Sequence, residues 1–548
     1  FQGTMKMATT RRSVAATLGA LLCAVGSLAC NPERIDENGP PPQTVPIRRL
    51  TNAEYKATVG DLFPGYTMPE IIFVPDAKVL GFLNLSSSQT GSLVRMEQYE
   101  SAAQSIAQVV TADPTTLTGC DAAAQDEATC VGPFLADLGK RAYRRPLTSA
   151  EQDGLMALLA RDQENITYPG RLALVIQAML MSPKFLFRPE IGIGPRPPGQ
   201  VVPLTSWEVA ARLSYFLTGS IPDAELAGAA DAGLLTSRDE VIKQARRLLT
   251  LPRAQTQLVK FHTMWLGTDT TSSLAKDMNA YPKFNALLAF YMAKETDQFL
   301  RKTLFDNGGT FAELLLADHT YVNGPLADFY GVPWPDEVDR STWIRVPLDS
   351  NQRMGLLTQG SLLATMAKQD RTDPVRRGKF IYNQILCRNV PPPSPEIVAM
   401  FKPLDLSKTA RDQFTEHRTN AACNNCHQYL DPLGLPFEHF DGIGEWRDTD
   451  RGMPIDASGA IEATEGAGDF HPFDGIPGMA KLLADMPEAR ACYIKEWTRF
   501  VDGTLDPSAS YIDWMKTRFS RNTRIVDLVA AVVGSDSFRY FAPGDGAP

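Results

Sequence analysis

Along most of this chain apolar residues recur three and four positions apart, the spacing that lays one apolar stripe along a helix. The pattern runs through 96–110, 133–143, 151–161, 171–181, 206–217 and 238–249, and continues at 287–300, 355–367 and 377–386. Three starts share one punctuation: Thr51-x-x-Glu54, Thr148-x-x-Glu151 and Thr205-x-x-Glu208 are capping boxes, each preceded by a leucine (Leu50, Leu147, Leu204). Leu50 can staple to Tyr55 and Leu204 to Val209. The unequal spacing of the boxes marks recurring helix-start grammar and gives no solenoid repeat. Period-two alternation is nearly absent, so the expected fold is mostly α, built as multi-domain helical bundles.

Breaks in the pattern divide the chain. Residues 189–203, rich in Pro and Gly, read as a linker, and Pro391-Pro392-Pro393-Ser394-Pro395 as a stiff extended connector. The expected domains are an N-terminal helical domain at 47–195, a middle helical domain at 196–345, a cysteine-bearing segment at 346–465 and a C-terminal helical domain at 466–548.

Composition sets outer bounds. With 548 residues, 44% of them hydrophobic, the chain can bury large cores. A net charge of -9 offers no domain-wide basic face, which argues against a nucleic-acid partner. The basic run from Lys140 to Arg145 reads as a solvated helix face that leaves room for a docking patch.

The first 30 residues read as an address. Phe1-Gln2-Gly3-Thr4 looks like a protease-site scar from an expression tag. Lys6, Arg11 and Arg12, an apolar run over 14–28 and small Ala29 before Cys30 make an export signal too short for a stable membrane span. Ser27-Leu28-Ala29-Cys30 resembles a bacterial lipobox, with Ser27 where Leu is usual, which makes Cys30 the expected lipidation site. Residues 31–46 form a polar, Pro-rich linker. The expected location is therefore periplasmic or at the cell surface, on a lipid anchor.

Export changes how the cysteines are read. In an oxidising compartment Cys120 is expected to pair with Cys130, and Cys387 with Cys492, although spacing alone also allows the crossed pairings. Cys423 and Cys426 stand apart. Cys423-Asn424-Asn425-Cys426-His427 has the C-x-x-C-H form that bonds a c-type haem: the sulfurs, about one turn apart, meet two vinyl groups, and the next residue gives its imidazole to iron. This makes one haem c the expected cofactor and the segment cytochrome c-like. Two alternatives stay open: a redox Cys-x-x-Cys pair, and a structural zinc site using His417, Cys423, Cys426 and His427.

Other chemistry is thin. H-E-x-x-H, G-x-S-x-G and the phosphate-binding glycine loop are absent from the sequence. Ser273-x-x-Lys276 has the form of an acyl-transfer pair but is common by chance. His262 and His319, beside aromatic residues, read as packing histidines. Asp441, Glu445, Asp448 and Asp450 could hold calcium, yet their spacing misses the EF-hand loop.

Several stretches in order carry a resemblance: Arg48-Arg49-Leu50-Thr51-Asn52-Ala53-Glu54-Tyr55; Arg144-Arg145-Pro146-Leu147-Thr148; the run from Leu204 to Leu217; Tyr321-Val322-Asn323; the run from Arg371 to Gly378; and the cysteine motif through Asp431-Pro432-Leu433-Gly434 and Phe440-Asp441. Together they resemble the planctomycete-type secreted cytochrome proteins, a bacterial family described as a string of domains of unknown function. The resemblance spans nearly the whole chain after the leader. It implies a secreted, mostly helical protein with a c-type haem segment near its C-terminus, and no settled activity. Asp373 and His439 stand where Ser and Asn are usual.

His427 is thus the expected proximal iron ligand, with Cys423 and Cys426 as thioether anchors. His417 or Met453 is the expected sixth ligand, with His439 and His471 as further options. Trp446 and Arg447 are expected at the haem edge, the guanidinium on a propionate, and the basic segment Arg371 to Lys379 in the same pocket. Two functions fit. One is a redox protein passing electrons between a partner protein and either a second redox protein or a substrate held by the helical domains, a possible haem-dependent oxidoreductase. The other is an extracellular binding or scaffold lipoprotein with structural zinc. The about 370 residues ahead of the motif exceed what a simple carrier needs.

Overall fold

The structure, a computed structural model, describes residues 45–542 together with Gly39 and Pro42, apart from 90, 122–126, 193, 195–199, 307, 400–404 and 406. The side chains of 127, 128, 416 and 417 also lie outside the description. The residues read as an export signal, the expected lipidation site Cys30 and most of the expected linker therefore fall outside the described residues.

The chain is mostly helical, with its few strands confined to short antiparallel pairs. In the first unit, strand β1 (Arg48–Arg49) pairs with β2 (Phe187–Arg188), and between them run α1 (Asn52–Leu62), α2 (Leu93–Val110), α3 (Glu127–Tyr143), α4 (Ser149–Leu159) and α5 (Tyr168–Met181). All three capping boxes form. At α1 the Thr51 hydroxyl accepts the Glu54 N–H at 3.2 Å while the Glu54 carboxylate accepts the Thr51 N–H at 2.8 Å; α4 and α6 (Ser206–Thr218) start in the same way. Burial of Leu50, Tyr55, Tyr99, Ile106, Leu138 and Ile176 makes one apolar core for this unit.

A second core runs through the rest of the chain. Leu213 of α6, Leu248 of α7 (Arg238–Leu249), Phe261 of α8 (Pro252–Leu266), Leu357, Ile381, Leu430, Phe437 and Trp497 belong to it, so it is continuous across positions 345 and 465. A smaller cluster gathers Met292 of α9 (Ala286–Arg301), Val322 of β3 (His319–Val322), Val346 of β4 (Ile344–Pro347) and Ile443. The two larger cores are joined by buried charge. Arg48 donates to the Val501 carbonyl at 2.7 Å and to Glu190 at 3.2 Å, while Arg212 lies 3.4 Å from the same Glu190 and reaches Asp502 at 2.7 Å and the carbonyls of Ser537 and Phe538 at 3.0 Å. Two arginines of the resembling stretches are thus ties between units.

Helix limits differ from the pattern where backbone chemistry intervenes. Residues 355–367 form a 3-10 turn (Leu356–Thr358) and a short helix (Gly360–Thr365). Gly355 has φ of 54° and lies against the Leu315 carbonyl, and Gln359 is extended, so one continuous helix is blocked. Residues 377–386 divide between α10 (Pro374–Phe380) and a π turn (Ile381–Ile385). The cysteine segment continues with α11 (Ala410–Thr419) and α12 (Ala421–Gly434), then a hairpin of β5 (Ser458–Glu462) and β6 (Phe470–Asp474), before α13 (Gly475–Asp485) and α14 (Pro487–Asp502). Among the described residues no helix is long and apolar enough to cross a membrane.

Candidate functional site

The cysteine motif opens α12. Asn420 caps this helix, its side-chain oxygen accepting the Ala422 N–H at 2.9 Å. Because residues three and four apart share a helix face, Cys423, Cys426 and His427 project together. Both cysteines are free and half-buried, and Cys426 packs on the main core. One turn later on the same face lies Asp431, wholly buried, whose Oδ1 accepts from His427 Nδ1 at 2.8 Å. Phe414 of α11 stacks on the His427 ring at 5.8 Å between centroids. Two thiols and an imidazole held by a carboxylate are the donor set that a c-type haem uses.

The helix is clamped from behind by α10. At their crossing two glycines replace side chains: a Cβ on Gly434 would lie 1.9 Å from the Pro374 carbonyl oxygen, and one on Gly378 2.1 Å from that of Leu430. This explains the glycine in each of two separate resembling stretches. Beyond the crossing, Arg377 is buried and donates to the carbonyls of Phe437, Phe440 and Asp441 at 3.0, 2.8 and 2.7 Å, drawing the turn after α12 over α10. Arg376 and Lys379 of the same segment are exposed.

Glu438 stands between that segment and Arg447. It accepts from Thr372 at 2.9 Å and from Arg447 Nη2 at 2.6 Å, and lies 3.5 Å from Arg377. Burial pushes its carboxyl up against the pull of the two arginines. Arg447 also donates through Nε to the Glu438 carbonyl at 2.8 Å and through Nη1 to Asp450 at 3.1 Å, so each of its nitrogens already has an acceptor. A propionate would compete with these partners. Trp446 stacks face to face on His439 at 4.4 Å and donates to Asp448, while His439 donates from Nδ1 to the Arg447 carbonyl.

The remaining candidates separate. His417 is on α11, which packs against α12, but its side chain lies outside the described residues. Met453 is 59% exposed and borders a hollow of about 190 Å³ with Arg411, Glu438 and Asp450. His471 is exposed on β6. The four acids do not converge: Asp441 caps the N–H groups of Ile443 and Glu445, Glu445 pairs with Lys283, and Asp448 and Asp450 serve Trp446 and Arg447. The Ser273 hydroxyl donates to Thr270 and Lys276 to the Ala364 and Lys368 carbonyls, so the two groups act apart. His262 is buried, giving its Nδ1 proton to the Leu258 carbonyl and accepting from Tyr493, each at 2.7 Å. His319 is buried beside Phe299 and Tyr321.

Cys120 is bridged to Cys130 and Cys387 to Cys492. The ligand atoms of Cys387, Cys492 and Glu496 lie within 4.8 Å of one another, close enough to hold a metal. The disulfide takes away the thiolates such a site would need.

Sequence reasoning missed Asp431, Glu438 and a buried network nearby. Arg353 lies over the rings of Tyr330 and Phe440 and donates to the Gly444 carbonyl at 2.6 Å, while Tyr330 and Thr320 donate to buried Glu295 at 2.6 Å each. Spacing gave a signal only for Asp431, four residues after His427. Away from the motif, a cleft of about 560 Å³ lies between the first unit and α6, lined by Trp207, Lys140, Arg144, Asp223 and Arg253. It shares no lining residue with the cysteine segment.

Four family models match in order: PSD3, a protein of unknown function (DUF1587), over 48–112; PSD5 (DUF1595) over 130–190; PSD4 (DUF1592) over 204–332; and PSCyt3 (DUF1588) over 353–450, the stretch that holds the motif. No curated protein and no solved structure matches. On these four matches in this order, the chain belongs to the planctomycete-type cytochrome c-like multidomain family, a string of domains of unknown function.

Proposed function

We propose that this chain is an exported, lipid-anchored redox protein of cytochrome c type, passing electrons between a partner protein and either a second partner or a substrate held by its helical domains. The observation that carries the proposal is the placing of Cys423, Cys426 and His427 on one face of α12 with Asp431 fixing the imidazole from behind. The name of the PSCyt3 model supports it. Haem c bound there would supply a one-electron iron couple. The free thiols of Cys423 and Cys426 would each add across a vinyl group, sulfur to one carbon and hydrogen to the other, with no net oxidation. His427 would give iron its Nε2 lone pair, and α10 with Arg377 would hold the segment rigid. Cys30 would carry the lipid. Export into a host that matures c-type cytochromes tests the reading by covalent haem.

A second reading is a binding lipoprotein with zinc at the same cysteines. The separate cleft beside Trp207 favours it, because a ligand held there needs no electron transfer. Metal analysis distinguishes the two: iron with a Soret band supports the first, stoichiometric zinc the second.

A further inference from the structure

We infer that Asp431 is a positioning residue that makes His427 a strongly electron-donating ligand and so holds the iron couple at low potential; this rests on the haem reading above. A carboxylate accepts and does not donate, so the short contact to Nδ1 places the imidazole proton there and leaves Nε2 as the lone pair for a metal. Asp431 is wholly buried, and among the described residues its second oxygen, Oδ2, has no hydrogen-bond donor. The charge is therefore little neutralised by its own contacts. Arg411, whose guanidinium feels the Asp431 carboxylate, is bonded elsewhere, to the carbonyls of Asp456 and Ser458 and to the Asp456 carboxylate.

An imidazole backed by such a carboxylate has its Nδ1 proton drawn away, which raises the basicity of Nε2. The added electron density stabilises ferric over ferrous iron, and the low dielectric of a buried site strengthens the effect. The carboxylate is also held in place. Leu430 on one side of it and Gly434 on the other lie in backbone contact with α10, and Pro432 follows it directly, so the turn that carries Asp431 has little freedom to swing away.

The test uses the full chain exported in a maturation-competent host, comparing wild type with Asp431→Asn, which keeps size and an acceptor oxygen but removes the charge. The expected result is covalent haem in both, with the oxidised-to-reduced ratio at a fixed poise falling about tenfold in the variant, a midpoint rise of about 59 mV for one electron. A variant that keeps haem with the wild-type midpoint overturns the inference. Should Asp431→Asn fail to fold, the iron–imidazole stretch of ferrous wild type after photolysis of bound carbon monoxide reads the same property: a high frequency supports an anionic partner, and one typical of a neutral partner overturns it. Wild-type protein without covalent haem overturns the haem reading and this inference with it, and is told apart because the failure shows before any substitution.

Discussion

Gly378 and Gly434 meet where α10 crosses α12, and a single added carbon on either would collide with the main chain of the other helix. The collision is with backbone, so no side chain can rotate away. Gly434→Ala or Gly378→Ala is therefore expected to destabilise the protein by about 3 kcal/mol, at the upper end of the cost of overpacking. Gly154→Ala, on α4 with open space beside it, is expected to be neutral or to stabilise by about 0.5–1 kcal/mol. Denaturant midpoints of the three variants check the contrast.

Arg377 and its neighbour Arg376 should separate just as sharply. Arg377→Met removes three carbonyl ties and leaves Glu438 with one arginine fewer, which is expected to cost about 3–5 kcal/mol. Arg376 is exposed, and its replacement by Ala is expected to change stability by less than about 0.5 kcal/mol. Thermal melts of the pair decide it.

Two buried groups give the stability profile opposing slopes. Burial raises Glu295 from 4.5 to about 7, despite bonds from Thr320 and Tyr330 that act the other way. The folded state then holds a proton that the unfolded chain releases, so stability falls as pH rises from 4.5 through 7. His262 is the reverse: burial lowers it from 6.5 to about 4, the unfolded chain binds the extra proton, and stability rises with pH across that window. Glu295→Gln is expected to leave a profile that climbs between pH 4 and 6.5 and no longer falls toward 7. Unfolding at a series of pH values reads this directly, and an unaltered slope near neutrality would remove Glu295 as its source.

How much could be read beforehand follows the range of each interaction. Helix starts were legible because a capping box is complete within four residues, and Thr51, Thr148 and Thr205 all cap as their spacing implied. The C-x-x-C-H spacing placed three donors on one face for the same reason. Arg377 was legible as a basic residue near the motif but not in its role, because its acceptors are carbonyls about 60 residues away, and carbonyls carry no sequence signature. Glu295 was invisible, since its partners come from β3 and the helix ending at Tyr330, and only burial makes it unusual. The break at Gly355 likewise depends on Leu315, a contact that periodicity does not register.

The Cys387–Cys492 bridge joins the end of the π turn after α10 to α14. With 105 residues between its ends, its loss in Cys387→Ser with Cys492→Ser is expected to cost about 4–5 kcal/mol on a chain-entropy basis. Reductant titration against denaturant midpoint tests this, and a double variant as stable as wild type would show that the core alone holds the segment.

The most direct measurement is a haem stain of the exported full chain after denaturing electrophoresis, read beside its absorption spectrum and metal content. The expected result is one iron per chain, a Soret band, and a stained band that persists through denaturation in wild type and is lost when Cys423 and Cys426 are both replaced by Ala. Stoichiometric zinc with no Soret band, from a host that loads haem onto a control cytochrome, would contradict it.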